Sequence, residues 1–140
     1  FLGDAGSSLI GFVLAWTIIV LSQGDTQWIH PLVGLWVVAV PVFDTLSLIK
    51  RRWKIGRSPF TPDRNHLHYL LIDAGMSSYM TLSTILALSI IISSVGMVSV
   101  YTLGPAISLF LYGLVFLLFD YAVAHRLSRI VSESRNESDF

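Results

Sequence analysis

The fold is decided by residues 50–78, KRRWKIGRSPFTPDRNHLHYLLIDAGMSS, a polar segment between two long apolar ones. It holds six of the chain's nine Lys and Arg residues, at positions 50, 51, 52, 54, 57 and 64. In a chain that is 54% hydrophobic and 13% charged, such a segment indicates either a membrane-surface anchor or one wall of a site for an anionic substrate. We expect the second, with Asp4 at the other end of that site.

The composition is typical of a membrane protein. Soluble domains contain about 25% charged residues, roughly twice the share found here, and the mean hydropathy of this chain is +0.69. Cysteine is absent, which excludes disulfides, thiolate metal ligands and a thiol nucleophile. The sequence starts at Phe1 without Met and has no secretory signal pattern, so we expect a piece of a longer protein.

The apolar segments predict membrane-spanning helices, which need about 20 residues each. Segments 32–49 and 80–100 have this length, 106–124 has it with one acid near its end, and 8–21 is short. The sequence therefore predicts an all-α, polytopic membrane helical bundle over residues 1–124, with four transmembrane helices and a cytoplasmic loop between the second and third. The polar tail 125–140 is predicted to be disordered.

Lys and Arg residues predict the orientation, because they accumulate in cytoplasmic loops. Connections 22–31 and 101–105 have none, whereas the central loop has six and the tail has three. The start of the chain, the central loop and the tail are therefore predicted to be cytoplasmic. Trp28 and Trp53 flank the second span as interfacial anchors do.

Asp4 lies in the small-residue stretch GDAGSS, directly before the first apolar segment. An Asp at this position is a good N-cap, which by itself would explain the stretch. The same helix start also attracts phosphate, and a carboxylate beside a phosphate needs a bridging hard cation such as Mg²⁺. Both interpretations stay open from this stretch alone.

Asp44 is an ionisable residue inside the second predicted span, in PVFDTL. Carboxylates within a membrane indicate function by default. The structural alternative is a partner along the same helix: Thr45, Ser47, Lys50 or Arg51. Pro41, one turn earlier, is expected to kink the span toward a polar cavity.

The second half of the central loop, PFTPDRNHLH, is stiffened by Pro59 and Pro62. Arg64 can bind a phosphate through two hydrogen bonds. His66 and His68 are two residues apart, so they share a face only if the backbone is extended.

Two alternatives compete for this loop. Asp63, His66 and His68 could form a metal site, but the surrounding Arg and Lys residues favour an anion over a cation. An anionic-lipid anchor explains the basic residues 50–57 but leaves the stiffened Arg and His residues unexplained.

Asp120, near the cytoplasmic end of the last span, is interpreted as structural, neutralised by His125 and Arg126. Asp4, Asp44 and residues 64–68 all map to one side of the membrane. Carboxylates beside Arg and His suit metal-assisted transfer of a phosphate-linked group.

These residues also carry a family resemblance. FLGDAGS followed by PVFDTLSLIKRRWKIGRSPFTPDRNHLHYLLIDAG resembles the C-terminal half of the polyprenyl-phosphate N-acetylhexosamine-1-phosphate transferases, over about residues 1–78. Within that family, the sequence resembles the bacterial undecaprenyl-phosphate GlcNAc-1-phosphate transferases in particular. One departure is Tyr69, where relatives often have another His.

The resemblance implies an enzyme of the bacterial inner membrane with its active face in the cytoplasm. It implies transfer of GlcNAc 1-phosphate from the UDP-sugar to undecaprenyl phosphate, with release of UMP, as the first membrane step of O-antigen or cell-surface polysaccharide synthesis. Mg²⁺ is the implied cofactor, with Mn²⁺ as a substitute. Asp4 matches the catalytic, metal-binding aspartate. The implied substrate-binding residues are Asp44, Asp63, Arg64, His66 and His68.

The resemblance also implies partners. The family's paired-aspartate motif and NxxDGxDG loop lie upstream of GDAGS and do not occur in this sequence, so we expect a missing N-terminal half and no activity from this piece alone. Membrane lipid and a homodimer are further expected partners, and nucleic acid is not. The alternatives are the same chemistry with another UDP-N-acetylhexosamine, or a transporter-like membrane module without enzymatic activity.

Overall fold

The computed structural model describes residues 3–24, 27–54, 56 and 66–138, with backbone alone for residues 3, 4, 7 and 126–138. Within that part the helices are α1 Gly3–Ser22, α2 Pro31–Val37, α3 Ala39–Lys54, α4 Leu67–Asp73, α5 Ser78–Thr102 and α6 Pro105–Ser138. Two of them, α5 and the Pro105–His125 part of α6, are long and apolar enough to cross a membrane. The predicted all-α membrane fold is confirmed.

The predicted span over 32–49 consists of two helices, α2 and α3, which meet at an angle of 67°. Pro41 explains the break, because it has no N–H to donate to the carbonyl of Val37 and its ring crowds that carbonyl. A new run of helical hydrogen bonds begins at Val38, whose carbonyl accepts the Val42 N–H at 3.2 Å. The kink predicted from Pro41 is thus present, three residues before the proline.

The fourth predicted span corresponds to α1, whose apolar part is Ser8–Ser22. At 1.5 Å per residue this stretch covers about 22 Å, less than the roughly 30 Å of a bilayer's hydrocarbon core. The side chain of Ile18 packs against α2 at Gly34, where a Cβ atom would overlap it. Four spans are reached when this shorter helix and the bent pair α2–α3 are counted together with α5 and α6.

The C-terminal end differs from the prediction of a disordered tail from residue 125. Helix α6 continues from the membrane segment to Ser138. Extending an existing helix adds a hydrogen bond with each residue and needs no new nucleus, so a polar sequence without periodicity can follow a stable span as helix.

Trp36 of α2 joins three helices. Its side chain is 1% exposed, and its ring lies against the backbone of α5 at Gly96, where a Cβ atom would overlap it. Its indole N–H donates to Ser108 Oγ of α6 at 3.0 Å, and that hydroxyl is 2.7 Å from Ser99 Oγ of α5. An indole and two hydroxyls buried in an apolar bundle thereby satisfy one another.

Phe43 joins α3 to α6. It is fully buried, and its ring lies 4.8 Å, 5.4 Å and 5.8 Å from the rings of Tyr112, Phe116 and Phe119 of α6. Such tilted aromatic contacts contribute beyond the area they bury. The bend after α2 therefore leaves α3 packed on α6.

Long-range contacts show which connections share an end of the bundle. The His30 N–H, just before α2, donates to the hydroxyl of Tyr101, near the end of α5. Toward the opposite end, Lys50 of α3 forms a salt bridge with Asp120 of α6. The two connections without Lys or Arg thus lie together, and the basic end of α3 lies away from them. Which of the two ends faces the cytoplasm stays a prediction.

We expect Gly96→Ala to destabilise the bundle, because the added methyl group must push the Trp36 ring away from α5. Overpacking of this kind costs about 1–3 kcal/mol. Gly113→Ala is the matched control, since open space surrounds that position on α6 and alanine is a better helix former than glycine. Unfolding in detergent measures both variants. Equal stability of the two would contradict the packing described for Trp36.

Candidate functional site

The best-defined polar site is built on Asp44 of α3. Its side chain is 16% exposed. One carboxylate oxygen, Oδ2, lies 2.9 Å from Nδ1 of His66, and the other, Oδ1, accepts the backbone N–H of Leu67 at 2.9 Å. A single carboxylate therefore bonds two successive residues at the start of α4.

The Asp44 carboxylate supplies a hydrogen-bond acceptor that the start of α4 lacks. His66 is the N-cap residue, in extended conformation (φ −72°, ψ 154°), and its side chain makes no capping bond. The first N–H groups of a helix have no partner within it. The Leu67 N–H is satisfied by Asp44, 23 positions earlier in the sequence. A negative charge there also suits the helix dipole.

Two imidazoles lie side by side next to Asp44. The rings of His66 and His68 are 5.9 Å apart and nearly parallel, at 16°, and His68 also contacts the ring of Tyr69 at 4.0 Å. The sequence set an extended backbone as the condition for a shared face, but only His66 is extended, and His68 already belongs to α4. The two rings lie side by side all the same. His66 is 40% exposed and His68 is exposed, so both rings are accessible to a ligand.

The contact with Asp44 determines which ring nitrogen of His66 carries a proton. An ionised carboxylate only accepts hydrogen bonds, so Nδ1 of His66 must carry a proton. Its second ring nitrogen, Nε2, is then an acceptor when the ring is neutral and a donor when it is protonated. In the protonated form the imidazole suits an anionic ligand such as a phosphate.

Three of the predicted site residues lie close together in the described part of the structure: Asp44, His66 and His68. The predicted residues Asp63 and Arg64 lie outside the described part of the chain, as does the side chain of Asp4. Their approach to His66 stays a prediction. Among the described residues no group of three His, Cys, Asp or Glu side chains could hold a metal ion.

Sequence reasoning missed the partners of both acids. Lys50, offered as a partner for Asp44, instead bonds Asp120, and the partners of Asp44 come from the start of α4. For Asp120 the sequence proposed His125 and Arg126 along its own helix and missed Lys50 of α3, which the structure shows bonded to it. The side chain of Arg126 lies outside the described part of the chain. A usable signal was present for His66, because it was predicted on the same side of the membrane as Asp44.

The Lys50–Asp120 salt bridge is structural. The Asp120 side chain is 12% exposed and that of Lys50 is 42% exposed. A long Lys stem can lie along apolar surface while its ammonium group stays near water, which lets the pair sit at the edge of the apolar bundle and tie α3 to α6.

An apolar groove adjoins this site. It has a volume of about 490 Å³ and is lined by residues of α4, α5 and α6, including Leu67, Leu70, Ile92 and Phe119. Leu67 belongs to both features, since its N–H bonds Asp44 and its side chain faces the groove.

The fold and the site define a polytopic membrane protein with an acid–imidazole cluster at one end of its bundle, and comparison with known proteins names its relatives. The chain is 36% identical over 135 residues to the undecaprenyl-phosphate alpha-N-acetylglucosaminyl 1-phosphate transferase of Escherichia coli (strain K12), which covers 94% of this chain and 37% of that protein. The protein of the same name from Yersinia pestis gives the same figures. The one from Haemophilus influenzae is 33% identical over 141 residues, which covers 99% of this chain and 40% of the relative.

The resemblance inferred from the motifs is confirmed: the chain is homologous to a segment of the undecaprenyl-phosphate alpha-N-acetylglucosaminyl 1-phosphate transferases. It spans about two fifths of the length of the curated relatives it matches. No family model matches the chain, and no solved structure does.

We expect Lys50→Met to destabilise the bundle by about 1–3 kcal/mol. Breaking a fully buried pair costs about 3–5 kcal/mol, and the exposure of Lys50 reduces that figure. Asp120→Leu should cost less, because the exposed Lys50 can turn to water while Asp120 cannot. The double variant, which leaves no unpaired charge, should recover most of the loss. Unfolding in detergent measures all three, and simple addition of the two single effects would disprove the pairing.

Proposed function

We propose that this chain is the C-terminal part of a membrane transferase that moves N-acetylhexosamine 1-phosphate from a UDP-sugar to undecaprenyl phosphate and releases UMP. GlcNAc 1-phosphate is the expected group. The observation that carries this proposal is the 33–36% identity, over 94–99% of the chain, to proteins named for this transfer. The cluster of Asp44, His66 and His68 beside the basic end of α3 supports it.

The proposed reaction replaces one bond to phosphorus with another. An oxygen of the lipid phosphate attacks the phosphorus that carries the sugar, and a new P–O bond forms there. The P–O bond to the bridging oxygen breaks, and UMP leaves with the electron pair. Enzymes accelerate such transfers mainly by positioning the groups and stabilising charge, so cationic donors around the diphosphate are what the site must supply.

Arg64, His66 and His68 are the proposed donors to the nucleotide-sugar diphosphate. A guanidinium and protonated imidazoles form charge-assisted hydrogen bonds with phosphate oxygens. The accessible, adjacent rings of His66 and His68 fit this role. Asp63 is proposed to lie in the same substrate-binding segment.

Asp4 is the proposed metal-binding residue. It matches the metal-binding aspartate that the family resemblance implies, at the start of the GDAGSS stretch. Mg²⁺ characteristically binds one or two carboxylates together with substrate phosphates, so one aspartate with a diphosphate suits it, and Mn²⁺ is a plausible substitute by the same ligand chemistry. When bound, the ion would neutralise charge that develops on the transferring phosphate.

The membrane supplies the second substrate and sets the location. We propose the bacterial inner membrane, with the basic end of the bundle and both ends of this chain in the cytoplasm, because Lys and Arg are confined to those segments. The apolar groove beside Leu67 offers the acceptor's hydrocarbon chain a surface next to the site. The upstream half of the same protein and a second copy of it are the proposed protein partners.

The first test is catalysis by the full-length protein and by this chain alone. In lipid, the full-length protein with UDP-GlcNAc, undecaprenyl phosphate and Mg²⁺ should release UMP, and this chain should release none. Activity with a different UDP-N-acetylhexosamine alone would correct the sugar. Transport without UMP release would refute the proposal. UMP release by the isolated chain would refute only the expectation that this piece is inactive alone.

The second test is Asp4→Asn in the full-length protein. Loss of a metal ligand should reduce turnover by more than the about 10–100-fold typical of residues behind a ligand, and added Mg²⁺ should restore part of it. Asp73→Asn is the control, because Asp73 is an exposed carboxylate at the end of α4. Near-normal turnover by Asp4→Asn would remove Asp4 from the metal site.

A further inference from the structure

We propose that Asp44 is a positioning residue that acts through His66: its carboxylate orients the imidazole so that Nε2 faces the diphosphate of the nucleotide sugar. This rests on the proposed function, and it changes the role of Asp44 from direct substrate binding to support of a residue that binds.

Both oxygens of the Asp44 carboxylate already have hydrogen-bond partners. Oδ2 is committed to His66 Nδ1 and Oδ1 to the Leu67 N–H, and the side chain is only 16% exposed. A direct contact with an anionic substrate would place two negative groups together without a cation between them. His66, at 40% exposure, is the member of the pair that a ligand can reach.

Two hydrogen bonds fix the orientation of the His66 ring. The Leu67 N–H holds the carboxylate in place, and the carboxylate holds Nδ1 of the residue next to it. With Nδ1 bonded, Nε2 lies on the opposite edge of the ring, away from Asp44. A protonated ring then presents an N–H donor to phosphate while its positive charge is balanced by Asp44.

The contact between Asp44 and His66 joins a helix of the bundle to the segment that follows it. Asp44 belongs to a helix of the bundle that is fixed by Phe43 packing on α6. His66 follows a connection that leaves α3 after Lys54 and returns at α4. The carboxylate therefore fastens a substrate-binding segment to a rigid element, which is how precise sites are usually built.

The substitution Asp44→Asn separates orientation from structure. Asparagine keeps a side-chain oxygen that can accept the Leu67 N–H, so the start of α4 stays capped. Its amide NH₂ replaces the second oxygen and cannot accept a hydrogen bond from Nδ1. Asp44→Ala removes both bonds and serves as the structural comparison, expected to unfold at a lower temperature than Asp44→Asn.

A double-mutant cycle in the full-length protein tests the proposal. Asp44→Asn and His66→Ala should each lower kcat/KM for UDP-GlcNAc by about 10–100-fold, the range for residues that support a ligand-binding group. The double variant should be no slower than His66→Ala within about twofold, because an orienting residue has nothing left to orient. Losses that multiply would overturn the proposal, since Asp44 would then act on the substrate independently.

A spectroscopic measurement separates this proposal from the proposed function. In full-length protein with ¹⁵N-labelled histidine, the His66 signals are identified by their loss in His66→Ala. They should report a proton on Nδ1 in the native protein and a shift toward Nε2 in Asp44→Asn, with Asp73→Asn unchanged. Unchanged His66 signals in Asp44→Asn would overturn the positioning role whatever the activity. A native protein that shows the expected signals but releases no UMP from any UDP-sugar would overturn the proposed function instead.

Discussion

A carboxylate at the edge of an apolar helix bundle must find a partner, and this constraint determines how the polar end of the molecule is assembled. Asp44 and Asp120 both lie on helices of the bundle, and both are largely buried. Each is satisfied by a different element: Asp44 by the start of α4 and Asp120 by Lys50 of α3. An unpaired charge in such a place costs several kcal/mol. The two contacts therefore fix α4 to α3 and α3 to α6.

The break between α2 and α3 allows these contacts to form. Trp36 locks α2 against α5 at Gly96 and against α6 through Ser108. After the 67° bend, Phe43 packs on the aromatic residues of α6. Asp44 is the next residue, so the packing that fixes Phe43 also fixes the carboxylate. The apolar core and the candidate site are therefore built on the same helix, α3, which follows the break caused by Pro41.

The sequence predicted those features of the fold that depend on local composition. The length of the apolar runs predicted α5 and α6, Pro41 predicted the kink, and a charge inside a span marked Asp44 as a residue to explain. Contacts between distant residues were not predictable from spacing: Asp44 meets Leu67 over 23 positions, and Lys50 meets Asp120 over 70. Neighbours along one helix looked equally suitable, because any nearby opposite charge satisfies a carboxylate. The continuation of α6 to Ser138 was missed for a related reason, since a polar sequence can extend a helix that a preceding segment has already nucleated.

An experimental structure of the full-length protein with UDP-GlcNAc and Mg²⁺ bound would test the positioning role of Asp44 most directly. We expect His66 Nε2 to lie within hydrogen-bonding distance of a diphosphate oxygen while Nδ1 keeps its contact with Asp44, and we expect Asp4 to reach the metal ion. A structure in which the nucleotide sugar binds away from His66, or in which Asp44 itself ligates the metal, would contradict this role.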